Sequence, residues 1–174
     1  MTEFNIDRQR ADSIQNADTI NNNYVRDKDH TGIATTALQA QHYSTAAAHY
    51  IAALETRPDD PSSHYGLALA LLGGVRPNRH TRENITEIQR HLNEARVLPE
   101  AQVLSALVSE DYGLFWQRYF DVPTSLKGLV DRTSAKRATE IVFHVPAREA
   151  RTWQELAGKQ LREGERIDGR QFRG

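Results

Sequence analysis

From residue 31 onward, apolar positions recur at three- and four-residue steps, which predicts helices with one buried face rather than half-buried strands. Over residues 31–41 that face carries Ile33, Ala34, Ala37 and Leu38. Ser44 or Thr45 suits the cap of a second helix bearing Ala46, Ala47, Tyr50, Ala53 and Leu54, which Pro58 and Pro61 stop. Ser62 or Ser63 opens a third, HYGLALALL, ended by Gly73 and Gly74. Thr81 opens a fourth with the stripe Ile85, Ile88, Leu92 and Ala95, and Pro99 suits the first position of a fifth. There Leu104, Leu107, Val108, Tyr112, Phe115 and Tyr119 form the stripe. Past Pro123, Leu126, Leu129 and Val130 predict a short helix, and Ala150, Trp153, Ala157 and Leu161 a last one. Between them, EIVFHV reads as a helix carrying Ala138, Ile141, Val142 and Val145 or, being β-branched, as a short strand. The expected fold class is all-α, built from antiparallel helical hairpins.

The two ends break this pattern. Among residues 1–30, Phe4, Ile6, Ile14, Ile20, Tyr24 and Val25 are scattered in polar sequence, too few to offset the entropy of ordering a packed unit. The last residues carry Arg166, Arg170 and Arg173 between glycines. The expected layout is a flexible Asn-rich arm over 1–30, a helical domain over 31–163 and a flexible tail over 164–174. Within the arm, Asn16 and Asn21–Asn23 stand among Ile14, Ile20, Tyr24 and Val25, a composition able to stack in register. By composition it resembles the short amyloid-type signalling motifs of bacterial immune and cell-death adaptors, which implies self-association through Ile14–Val25. The plainer reading is a disordered or partly helical leader.

Charge and composition narrow the classes. The chain has 174 residues, 22 basic and 23 acidic side chains, a net charge of −1 and no cysteine. One domain fits that length. Disulfides, thiolate metal sites and cysteine nucleophiles are excluded, and so is a global attraction to nucleic acid or anionic lipid. The longest apolar run, YGLALALL, is far short of the roughly 20 residues of a membrane span. The start, MTEFNIDRQR, lacks a basic region followed by an apolar stretch. A cytoplasmic protein without a membrane partner is expected.

An internal repeat underlies the helices. Ala46, Tyr50, Ala53 and Pro58 follow one another at intervals of four, three and five. With Tyr43 before them and Ile33 and Ala34 on the preceding helix, this stretch resembles a tetratricopeptide repeat. His30 and Ala37 depart from the aromatic residues usual at their positions. Shifting by the family's period of about 34 residues carries Ile33, Ala34 and Ala37 onto Leu67, Ala68 and Leu71. The partner helix maps with an offset of 42, placing Ala46, Tyr50 and Ala53 on Ile88, Leu92 and Ala95. The eight extra residues are GGVRPNRH, Gly73–His80. The resemblance spans roughly 29–99 and implies a short superhelix of antiparallel hairpins; residues 124–163 read either as a third unit or as its cap.

No convergent catalytic set emerges. Glu140 and His144 stand one turn apart without the second His of a metalloprotease helix, and LLGGVRP lacks the Lys and Ser/Thr of a phosphate loop. Asp59–Asp60 and Glu110–Asp111 read as solvated helix charges. No catalytic, cofactor or metal site is expected, and no cofactor. Arg76, Arg79, His80 and Arg82 form a basic cluster on the inserted turn, either a solvated loop or a contact for an acidic partner. Nucleic acid is not an expected partner. The reading is a non-catalytic scaffold or adaptor that binds a protein or peptide in a helical groove lined by 29–41 and 64–72. Its candidate contacts are Gln39, Gln41, His42, His64, Arg76, Arg79 and Arg82. The alternative is a signalling module whose arm self-templates.

Overall fold

A computed structural model describes residues 30–115 and 126–171, with side chains to 113 and 162. The stretch Ile14–Val25 expected to self-associate, Tyr119 and Arg173 lie outside the described residues, and the side chains of Phe115, Arg166 and Arg170 lie outside the described side chains. Among the described residues the chain is helical throughout, with no strand. In order come α1 (30–39), α2 (Tyr43–Thr56), α3 (Pro61–Leu72), a 3-10 turn (Pro77–Arg79), α4 (Arg82–Glu94), α5 (Pro99–Phe115), α6 (Leu126–Arg132), α7 (Ala135–His144) and α8 (Arg151–Gln171). The ambiguous EIVFHV belongs to α7 and is helical to His144, and α8 continues past the boundary expected at residue 163.

Helix starts follow capping chemistry, with two shifts from expectation. Neither Ser44 nor Thr45 caps α2; His42 holds the N-cap position without a side-chain bond. Neither Ser62 nor Ser63 caps α3; Asp60 does, accepting from Ser63 N at 3.0 Å and Ser63 Oγ at 2.5 Å, with Pro61 as the first helical residue. Thr81 caps α4 by accepting from Asn84 N at 3.3 Å.

Consecutive helices from α2 to α6 pack on one another, and α7 and α8 close the arrangement. Within the first hairpin, α2 folds back antiparallel to α1: Thr31 meets Arg57, and Thr35 meets Tyr50. Ala46 and Ala53 are buried at the crossing. Close approach of α2 and α3 depends on Gly66, where a Cβ would fall 2.2 Å from Tyr50 Cζ. Helix α3 is the centre of the molecule, buried continuously from Ser63 to Ala70. Ile33, expected on the buried face of α1, is 39% exposed instead.

Helix α7 lies against α3 and α5. Arg137 pairs with Glu140 at 2.6 Å and with Glu100 at 3.3 Å, and its guanidinium sits 5.4 Å from the centre of the Tyr65 ring. Burial, with Glu140 nearby, pushes the Tyr65 phenol well above its ordinary range. The Tyr43 hydroxyl hydrogen-bonds with Nδ1 of His144 at 3.1 Å, tying the first hairpin to the end of α7.

Candidate functional site

The first hairpin has an unusual surface. Residues 30–54 contain no Asp, Glu, Lys or Arg, in a chain that is 26% charged. They are not all buried: Gly32, Ile33, Thr36 and Gln39 of α1 face solvent with Ala40 just after it, as do Ser44, Thr45, Ala48 and Ile51 of α2. The result is an exposed, uncharged face of small and hydrogen-bonding side chains. Its signal, a gap in charge across all of α1 and α2 as far as Leu54, is present in the sequence.

The turn joining the two helices completes that face. Gln41 N–H donates to Leu38 O at 2.9 Å and His42 N–H to Ala37 O at 2.8 Å, a Schellman closure of α1. Gln41 sits at the position of that closure where glycine is the usual residue, with φ 60°. A glutamine in the left-handed region costs about 1–2 kcal/mol relative to glycine, so its long amide side chain is displayed here at a cost in stability.

Two histidine pairs bridge neighbouring helices. His30 and His49 join α1 to α2, with Nδ1 atoms 3.0 Å apart and rings 5.3 Å apart at 35°. His64 and His91 join α3 to α4, at 2.8 Å, 5.1 Å and 33°. The offsets of 34 and 42 that align the two sequence units carry His30 onto His64 and His49 onto His91. One contact is thus built twice in nearly the same geometry.

The inner pair belongs to a directed hydrogen-bond chain. Arg90 lies 2.9 Å from Nε2 of His91, and Nε2 of His64 lies 2.7 Å from Pro58 O. A guanidinium only donates and a carbonyl only accepts, so His91 must carry its proton on Nδ1 and His64 on Nε2. The chain then runs Arg90 to His91 to His64 to Pro58, with both rings neutral. Burial, the Arg90 charge and His64 together lower the pKa of His91 from 6.5 to about 4, in agreement with that assignment.

The expected contact residues divide into two groups. Gln39, Gln41 and His42 are exposed together at the end of the first hairpin; Arg79 and Arg82 are exposed on the inserted turn and the start of α4. Arg82 lines a shallow open depression along α4 with Glu83, Thr86, Glu87 and Arg90. His64 is not a surface contact: it is buried and committed to the chain just described. Arg76 is not a free loop charge either, because it binds the fully buried carboxylate of Asp111 at 2.5 Å and also pairs with Glu149. His80 donates to Leu72 O at 3.2 Å, at the end of α3.

Helix α3 therefore offers no exposed edge to a groove over residues 64–72, since Ser63–Ala70 are buried in a helix that packs against α2, α4 and α7. The pair Glu110–Asp111 is likewise not solvated. Asp111 accepts from Arg76 and from Asn78 N, and Glu110 accepts from Arg151 N, Thr152 N and Thr152 Oγ1. No helix among the described residues is long and apolar enough to cross a membrane. No family model, curated protein or solved structure matches this chain significantly.

Proposed function

We propose that this chain is a non-catalytic helical scaffold of tetratricopeptide type, binding a segment of another protein through the uncharged face of α1 and α2. The observation that carries the reading is the coincidence of exposure and missing charge over residues 30–54. A helix face that only meets water gains solubility from charged residues, whereas the centres of protein interfaces are depleted in them. Gln39, Gln41 and His42 supply directed hydrogen bonds at one end, and Ile33 and Ile51 supply apolar area. The repeat reading is supported by the duplicated histidine contact, which internal duplication of a two-helix unit explains and a generic Ala-rich bundle does not.

The test places charge where the face has none. Thr36→Lys and Ala48→Glu alter exposed positions, where substitution usually changes stability by less than about 0.5 kcal/mol. A partner captured by the parent chain and identified is then purified and titrated against both proteins. The doubly charged variant should bind at least about tenfold more weakly, as desolvating an unpaired charge requires. Equal affinity overturns the assignment of this face. Gln41→Gly gives an independent arm: it should raise stability by about 1 kcal/mol by relieving the left-handed backbone while weakening the complex.

A further inference from the structure

The two histidine pairs match in geometry and differ in what stands behind them. In the inner pair, Arg90 donates to Nε2 of His91 and so holds that ring's proton on Nδ1, between the two rings. That nitrogen has no lone pair to offer. The offset of 42 that carries His49 onto His91 carries Ala48 onto Arg90. No arginine therefore fixes the tautomer of the outer pair from that position. Each outer ring can hold its proton on Nε2 and turn an Nδ1 lone pair toward the other, 3.0 Å away. Without a cation one Nδ1 donates to the other across that distance; because no arginine pins the proton there, it can pass through solvent to Nε2 and leave both lone pairs to a cation.

The separation also selects the cation. With metal–imidazole bonds of about 2.05 Å, nitrogens 3.0 Å apart subtend about 94° at the metal. That is close to the cis angle of a square-planar or tetragonal shell and narrower than the roughly 109° of a tetrahedral one. We propose that His30 and His49 form a two-imidazole site for a tetragonal divalent cation, copper(II) ahead of nickel(II). Both side chains are partly exposed, so an ion reaches them from solvent and water fills the remaining positions. Among the described residues no group of three metal-ligating side chains forms, so the affinity rests on two imidazoles held by two helices of one hairpin. Once the first imidazole binds, the second is presented at high effective concentration. Imidazole ligands and the Irving–Williams order place copper(II) first and zinc(II), which wants the wider angle, behind it.

The experiment uses the full chain without a purification tag, titrated near neutral pH with copper(II) alone, followed by calorimetry and electron paramagnetic resonance. The parent should bind one equivalent with hyperfine structure from two nitrogens. His49→Gln should weaken binding at least about tenfold by removing the chelate. Ala48→Arg should weaken it comparably while keeping both imidazoles, because it installs the arginine of the inner pair; its thermal unfolding confirms that the fold persists. His42→Gln, at another exposed histidine, should leave binding unchanged. A single-nitrogen spectrum for the parent, undiminished binding in His49→Gln, or tighter binding of zinc(II) than copper(II) overturns the site. Undiminished binding in Ala48→Arg overturns the tautomer argument on which it rests.

Discussion

Glu110 on α5 caps α8 from outside that helix: its carboxylate accepts the backbone N–H of Thr152 at 2.9 Å and the Thr152 hydroxyl at 2.7 Å. A second oxygen accepts from Arg151 N at 2.7 Å. The orphan donors of a helix start ordinarily find a Ser, Thr, Asp or Asn immediately before them; here the residue before α8 is Ala150. Thr152 is fully buried, so the donors it offers must be met by protein.

Glu110→Ala should therefore destabilise the chain by about 1–2 kcal/mol, the cost of losing a cap. Glu110→Gln should cost less, since it keeps an acceptor but loses the charge that favours a helix start. Urea midpoints order the three proteins, and amide exchange should quicken first at Arg151 and Thr152. An alanine variant as stable as the parent would show that these donors have another partner.

Arg76, Arg79 and Arg82 look alike in sequence and should behave differently. The Asp111 carboxylate is fully buried and Arg76 is its cation, while Arg79 and Arg82 face solvent. Removing one partner of a buried ion pair costs about 3–5 kcal/mol; Asn78 N–H still serves Asp111, which places Arg76→Gln toward the lower end. The double variant of Arg79 and Arg82 to Gln should shift the thermal midpoint little. A midpoint for Arg76→Gln equal to that of the double variant would contradict the buried pairing.

Gly66 sits inside a helix, where replacement by alanine ordinarily gains about 1 kcal/mol. At this position the new methyl would meet the Tyr50 ring at 2.2 Å. Overpacking of that kind costs about 1–3 kcal/mol, and both helices are pinned by further contacts, so Gly66→Ala should be a net loss. In a Tyr50→Ala background the same change should become neutral or favourable. That reversal, read as a coupling energy between the two sites, is the measurement that checks the close approach of α2 and α3.

What could be read in advance follows from where each determinant resides. The helices were legible because the stripe Ile85, Ile88 and Leu92 and the punctuation by Pro61, Gly73 and Pro99 are local. Caps supplied from a distance were not. Glu110 serves α8, Asp111 serves the turn at Asn78, and Lys159 Nζ closes the end of α6 by donating to Val130 O, Asp131 O and Thr133 O. Each is a charged residue on its own helix with nothing nearby to reveal its partner, and for that reason Glu110–Asp111 read as solvent-facing. Burial of α3 was equally hidden, because its cover, α7, comes some seventy residues later. Gln39, Gln41 and His42 were reachable because they lie in one short turn. The duplicated histidines were within reach too, since the offsets of 34 and 42 already aligned the units; what sequence lacked was the ring-to-ring contact that gives the alignment meaning.

The hydrogen-bond chain through His91 predicts a pH dependence with a definite sign. Its folded-state pKa is lowered, by burial first and then by Arg90 and His64, to about 4, against 6.5 for the ordinary residue. The unfolded chain therefore takes up a proton near pH 6.5 and the folded chain only near 4. Stabilisation from the neutral ring is complete above 6.5 and is lost as the pH falls toward 4, at up to about 1.4 kcal/mol per pH unit. The geometry gives the reason: a proton added at Nε2 of His91 confronts the Arg90 donor. His144, whose pKa burial also lowers, adds a loss of the same sign. His91→Gln removes one titrating group and leaves His144 and the carboxylates in place. Urea unfolding of parent and variant at pH 7, 6, 5 and 4.5 separates them. The parent should lose stability faster than the variant, so the difference between them narrows on acidification; a difference that stays constant over that range rules the neutral chain out.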